Sequence, residues 1–228
     1  MKLSISMTQK EERLGWLVLA LQLLILPVLL VALNTLLPIP LSDAPLNFLL
    51  FALNFVAVVL VFHRFLAVSA RRATANPFRC LRFAAIGLIL YYAGTSLIDL
   101  LIRSVYPQFS NINDSNIQSM AQEHYGLILF GTVLLVPLTE ETLFRGLIFR
   151  MLQRKSRAVA YILSTLFFGL IHIAGYIDIA SSEVLVLCFL QYVPAGLFLA
   201  WAYEKADSIW APILMHMAIN QISMSYMR

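Results

Sequence analysis

Apolar residues run along this chain in long blocks, with no alternation of period two. Residues 14–36, 46–66, 83–104, 158–175, 184–203 and 208–226 each form a run close to the ~20 residues that cross a bilayer as a helix. A further run begins near His124 and continues to about Arg154. Between these runs lie the turn-rich 37–45 (LPIPLSDAP), the arginine-bearing 67–82, the polar 106–123, the basic turn 155–157, the segment 176–183, and Glu204-Lys205-Ala206-Asp207. The pattern predicts an all-α polytopic membrane helical bundle of about seven transmembrane helices, or seven to eight if the polar 106–123 stretch conceals a short helix. The N-terminal MKLSISMTQKEERLGW leads into an apolar run too long for a signal peptide, so it reads as a retained first helix. Pro27 interrupts that helix, which a membrane helix tolerates when neighbours satisfy the freed carbonyl.

Composition sharpens this picture. Hydrophobic residues make up 61% of the 228 and charged residues 12%, against roughly 25% charged in a soluble domain. The chain reads as a single integral-membrane domain over 1–228. The net charge of +4 matters less than its distribution. Lys2, Lys10 and Arg13 precede the first run. Arg64, Arg71, Arg72, Arg79 and Arg82 surround the second connection. Arg150, Arg154, Lys155 and Arg157 mark the fourth, and Lys205 the sixth. The segments 37–45, 106–123 and 176–183 contain no Lys or Arg. With seven spans this alternation orients the N-terminus to the cytoplasm, only Arg228 standing against it. The arginines suit anionic lipid of the inner leaflet. With no basic soluble domain, nucleic acid is not an expected partner. Cys80 and Cys188 match no metal or redox spacing. No internal repeat is visible, which argues against an inverted-repeat transporter.

Against this apolar background, Pro137-Leu-Thr-Glu140-Glu141-Thr-Leu-Phe-Arg145-Gly146 places three charges inside a spanning run. Intramembrane charge is costly and marks a functional site by default. At 1.5 Å per residue, Glu140 lies ~21 Å along its helix from Arg154, and His172 ~22 Å from Arg157. His216 lies ~14–16 Å above the Lys205–Asp207 turn. Three helices therefore bring Glu, His and His to nearly one depth. Glu141 and Arg145 are i,i+4 and can pair. Glu140 is rotated ~100° from Glu141, so the two carboxylates need not share a role. Pro137 favours a kink, and Gly146 permits close helix approach. His216 and Asn220 are again i,i+4. A carboxylate and a histidine can activate water for peptide hydrolysis, and His216 with the Asn220 amide can meet an oxyanion. Glu140, His172 and His216 are also zinc-ligand types, though no compact HExxH signature is present. A proton-coupled transporter using the same residues, and a non-catalytic immunity or scaffold protein, are the competing readings.

The segments E-E-T-L-F-R, F-G-L-I-H and H-M-A-I-N resemble, in order and separation, the three motifs of the CAAX prenyl protease 2 and bacteriocin-processing family of intramembrane proteases. Residues 196–220 also resemble the helix-turn-helix that leads to that family's last histidine. The resemblance covers about 124–222, the catalytic core, and leaves 1–123 as generic spans. It implies a membrane protease in which Glu140 and His172 activate water, His216 and Asn220 stabilise the oxyanion, and Glu141 and Arg145 support the site. It implies no obligatory cofactor in the metal-free mechanism and Zn2+ in the metallo-type alternative. The expected substrate is a peptide or membrane protein, lipidated in the CAAX case, and bacteriocin maturation or immunity are family roles. Compact size and short loops resemble the bacterial members, hence a bacterial plasma (inner) membrane location.

Other polar residues receive plainer readings. Asp99 and Arg103, at i,i+4, are expected to pair. His63 and His124 read as interfacial, and Phe168 as packing. Tyr91, Tyr92, Trp16, Trp201 and Trp210 suit interface belts or packing. Asn113-Asp114-Ser115 is a formal glycosylation triplet.

Overall fold

A computed structural model describes residues 3–227; Lys2 and Arg228 lie outside them. The chain is 86% helical, with no strand among the described residues. Seven helices follow in order: α1 Gln9–Thr35, α2 Asp43–Ala75, α3 Pro77–Val105, α4 Ile112–Gln153, α5 Arg157–Tyr176, α6 Ser182–Ala206 and α7 Trp210–Tyr226. The first six are long and apolar enough to cross a membrane. The 17 residues of α7 sit at the lower end of the spanning range. The all-α polytopic bundle is as the sequence predicts.

Two expectations need correction, and one open alternative is decided. Residues 67–82 are not an open connection: α2 runs to Ala75 and α3 starts at Pro77. The whole turn is one residue, Asn76 (φ −142°, ψ 69°), because the residue before a proline is pushed out of the helical region. Asn76 Oδ1 then caps α3 by accepting the Arg79 amide at 3.1 Å. Second, residues 112–123 are helical, the short helix that the polar 106–123 stretch could conceal. Asn111 caps them, its Oδ1 accepting the amides of Asn113 (3.0 Å) and Asp114 (3.4 Å). The chain then breaks at His124 (φ −142°, ψ 72°), where the sequence placed the start of the helix. Part of the polarity that suggested a loop, at Asn111, Asn113, Asp114 and Asn116, lines a cavity. Third, Asp99 does not pair with Arg103. Its Oδ1 accepts from Gln191 Nε2 at 2.6 Å.

The prolines act through widened turns. A π-helical turn, Leu21–Ile25, precedes Pro27, and another, Gly131–Leu135, precedes Pro137 at the same offset. In each, the amide just before the proline reaches back five residues: Leu26 to Leu21, and Val136 to Gly131. A proline has no amide hydrogen to supply the next rung. The wide turn displaces that gap without ending the helix.

The basic end of the bundle is knotted by two buried carboxylates from the α6–α7 turn. Glu204 accepts from Arg157 (Nη2 at 2.8 Å), Gln153 (2.9 Å) and Tyr161 (2.8 Å). Asp207, left-handed at φ 55°, accepts from the Ser4 amide (2.8 Å) and hydroxyl (2.6 Å) and pairs with Arg72 at 2.5 Å. The N-terminal segment is thereby strapped across this end, with Leu3 and Met7 in the core. Thr8 and Glu11 form a reciprocal capping box for α1. Glu11 also accepts the Phe65 amide at 2.9 Å, beside the kink at Phe62 in α2. At Gly15 any Cβ would lie 2.6 Å from the Phe62 ring, and at Gly146 2.9 Å from Met7 and Phe65. These two glycines let α1, α2, the strap and the Glu-Glu helix close on one another, as expected for Gly146.

Candidate active site

The Glu-Glu segment lies where α4 is least regular. After Pro137, residues 136–141 form a short α-helical stretch and Thr142–Phe149 return to π geometry. Glu141 and Arg145 still pair, Arg145 Nη1 donating to Glu141 Oε1 at 3.2 Å. Both are fully buried. Nη2 of Arg145 donates to the carbonyls of Ala195 (3.4 Å) and Gly196 (3.3 Å) on α6. The guanidinium lies 4.3 Å from the Phe168 ring centre on α5. One arginine therefore joins α4, α5 and α6. Gly196 makes this possible: a Cβ there would sit 2.9 Å from the Thr165 Cα on α5.

Glu141 has a second partner. The same Oε1 faces His216 Nδ1 at 2.9 Å. A carboxylate only accepts, so Nδ1 carries the proton and Nε2 is the nitrogen left to other partners. The expected support of Glu141 for Arg145 thus extends to orienting His216. His172 is oriented differently: its Nδ1 donates to the Phe168 carbonyl at 2.7 Å. Its Nε2 faces Glu140 Oε2 at 4.0 Å, too far for a direct hydrogen bond and the span that one bridging water fills. That Glu140 oxygen is buried with no protein partner. The carboxylates divide as helix phase predicts, Glu140 on the cavity wall and Glu141 behind it.

Asn220 is tied to the proline. Val136 takes the Gly131 carbonyl, so the next rung would join Pro137 to Thr132. Pro137 has no hydrogen to give, and the Thr132 carbonyl instead accepts from Asn220 Nδ2 at 2.7 Å. One amide hydrogen of Asn220 is committed to that bond, and the other is available to the cavity.

Glu140, His172, His216 and Asn220 all line a cavity of about 580 Å³. Its wall includes residues the sequence reading missed. Tyr192 stacks on the His172 ring at 4.3 Å and 27°, while Phe168 covers it at 4.7 Å. The Tyr192 hydroxyl accepts from Asn113 Nδ2 (3.0 Å) and donates to Asn111 Oδ1 (3.3 Å). Gln191 accepts from Asn111 Nδ2 at 2.8 Å and donates to Asp99. The 111–116 segment thus closes over one end of the cavity. Gln191-Tyr192, polar inside a spanning run, was the available signal. Thr132 had none, because its role belongs to its backbone.

Glu140, His172 and His216 are the candidate zinc ligands. Among the described residues no three His, Cys, Asp or Glu side chains gather closely enough to hold a metal ion. Glu140 and His172 face each other, and His216 is bonded through Nδ1 to Glu141. The arrangement does not fit a zinc centre with three protein ligands.

The six apolar helices make this an integral membrane protein. No curated protein matches the chain. No solved structure matches it either. Residues 122–222, which carry every candidate site residue, match the family described as type II CAAX prenyl endopeptidase Rce1-like, and it is to these CAAX-protease-like intramembrane endopeptidases that the chain is similar.

Proposed function

We propose that the chain is an intramembrane endopeptidase of the glutamate type, in which Glu140 and His172 activate a water. The observation that carries this reading is the 4.0 Å gap between the unpartnered Glu140 Oε2 and His172 Nε2 on the cavity wall. A water in that gap donates one hydrogen to each. Glu140 takes its proton as the water oxygen attacks the peptide carbonyl carbon. The carbonyl π pair moves onto oxygen, and the oxyanion meets the free Asn220 amide hydrogen beside His216. Collapse of the tetrahedral intermediate breaks the C–N bond, and Glu140 returns its proton to the leaving amine. In such arrangements the base supplies about 10²–10⁴-fold and an oxyanion donor about 10²–10³-fold. Glu141 and Arg145 touch no substrate; they hold His216 and the three-helix junction. The substrate is a membrane-associated peptide or protein, and the setting is a bacterial plasma membrane with the N-terminus cytoplasmic, the orientation favoured by the Lys and Arg distribution.

The test is cleavage of membrane-anchored peptide libraries by protein in nanodiscs. Wild type cuts; Glu140→Gln, His172→Ala and His216→Ala still fold, the last with a lowered melting point because it takes a partner from buried Glu141, but all lose cleavage by at least about 100-fold. Full cleavage by Glu140→Gln removes the mechanism. A folded wild type that cuts nothing, yet moves protons or solutes in a Glu140-dependent way, replaces it with transport.

A further inference from the structure

Two neutral amides stand in the cavity wall opposite the candidate chemistry. Residues 47, 50, 51 and 54 of α2 all line the cavity, one helix face at i, i+3, i+4 and i+7. Asn54 on that face is 8% exposed, and its carboxamide has no hydrogen-bond partner among the described residues. Gln22, in the widened turn of α1, lines the same cavity, with Oε1 buried and unpartnered. Close contacts between the helices set their depths. Gly15 on α1 meets Phe62 on α2, and Phe51 on α2 meets Gly131 on α4. Because α1 runs opposite to α2, Gln22 comes level with residue 55, beside Asn54. Because α2 and α4 run the same way, Glu140 lies ~9 Å deeper than Asn54 at 1.5 Å per residue. An extended peptide covers that distance in about three residues, at ~3.3 Å each.

Neither amide serves the packing of the bundle. A carboxamide withdrawn from water without a partner is costly, and Met or Leu would fill either position without that cost. What the two groups require is set by their atoms. Gln22 Oε1 only accepts, so its partner must bring an N–H or O–H. Asn54 offers two amide hydrogens and one acceptor. A peptide main chain has the converse needs. On entering an apolar cavity it loses water from a row of N–H and C=O groups, each of which must be paired again. A strand edge commonly supplies such pairing, but there is no strand among the described residues. Side-chain amides, which carry the same donor and acceptor as a peptide unit, take the place of that edge.

Building on the protease reading, we infer that Gln22 and Asn54 form a subsite for the substrate main chain: Gln22 Oε1 accepts a peptide N–H and Asn54 Nδ2 donates to a peptide carbonyl, within about three residues of the scissile bond. The subsite holds the peptide whatever its side chains are, and it touches none of the reacting atoms. Both residues precede the matched segment 122–222, so the first two helices become part of the working site.

The test replaces single peptide amides by esters, which removes one N–H and keeps the extended shape. A membrane-anchored peptide is made with an ester at each position in turn on either side of the scissile bond, which itself stays an amide. Cleavage by the wild-type protein in nanodiscs is followed by mass spectrometry, and binding of the same peptides is measured alongside. One ester position is expected to lower kcat/KM about fivefold to tenfold, the effect of one hydrogen bond, mainly through KM. Gln22→Met lowers kcat/KM for the all-amide peptide by a similar factor and no longer distinguishes it from that ester. Asn54→Leu raises KM about fivefold to tenfold with kcat unchanged. Both variants melt no lower than the wild type, because each removes a polar group that has no protein partner; a merely structural role would lower melting and leave KM alone. Equal cleavage of every ester and the all-amide peptide, an ester effect that persists in Gln22→Met, or a KM unmoved by Asn54→Leu overturns the inference and leaves the protease reading standing. A wild type that cuts nothing, yet binds the all-amide peptide over one ester in a Gln22-dependent way, keeps the subsite and removes the protease reading. No binding and no cleavage by a folded protein ends both.

Discussion

The Glu141–Arg145 pair offers the sharpest test of how the site is held. Both side chains are fully buried, and their single direct contact is 3.2 Å. Replacing Arg145 by Met leaves a carboxylate with only His216 beside it and removes the guanidinium from the Phe168 ring. Breaking a buried pair from one side costs about 3–5 kcal/mol, because the remaining charge is stranded. Loss of the desolvated cation–π contact, worth about 2 kcal/mol, falls within that range. Glu141→Gln strands the guanidinium and costs a similar ~3–5 kcal/mol, although Gln still offers His216 an acceptor. Removing both charges strands neither, and such replacements are often nearly neutral. The double variant Glu141→Gln/Arg145→Met is therefore expected to be more stable than either single variant. The measurement is a double-mutant cycle from equilibrium unfolding in mixed detergent micelles, with all four proteins in one lipid composition. If the double variant loses the sum of the two single losses, the charges act independently and the stranded-charge reasoning is wrong.

Three further outcomes are expected. Gly196→Ala pushes a Cβ to within 2.9 Å of the Thr165 backbone, so overpacking of ~1–3 kcal/mol outweighs the helix gain; Gly126→Ala meets nothing within 4 Å and should gain ~0.5–1 kcal/mol in thermal melts. Asp207→Ala removes the acceptor for Ser4 and Arg72 and places Ala at positive φ, costing about 2–3 kcal/mol and exposing the N-terminal strap to limited proteolysis; Asp207→Asn costs less, since Asn tolerates that backbone. Treatment with a strong chelator should leave peptide cleavage unchanged, and zinc-restorable loss of activity would replace the glutamate-type mechanism with a metal-dependent one.

Much of the site was legible because burial in a membrane makes charge conspicuous. Counting residues from the basic turns brought Glu140, His172 and His216 to one depth, and helix phase separated Glu140 from Glu141. Both follow from regular helix geometry, which holds well enough even across π turns. What was not legible depends on neighbours that are distant in sequence. Asp99 has a partner at i+4, yet it bonds to Gln191, 92 positions away. Residues 112–123 are polar enough for a loop, but their polar groups meet Tyr176, Tyr192 and Gln191 across the cavity end. Asn220 read as an oxyanion donor from its motif. That its amide also replaces a proline's missing hydrogen requires knowing where α7 lies against α4.

That last bond has a mechanical meaning. A bare carbonyl in hydrocarbon costs several kcal/mol, so α7 cannot slide away from α4 without leaving Thr132 exposed. Arg145 fastens α4 to α6 in the same manner. The helices that carry Glu140, His216 and the Arg145 clamp therefore form one stiff frame. The wide turn of α1 at Leu21–Ile25 stands outside that frame and places Gln22 and Leu23 on the wall of the same cavity.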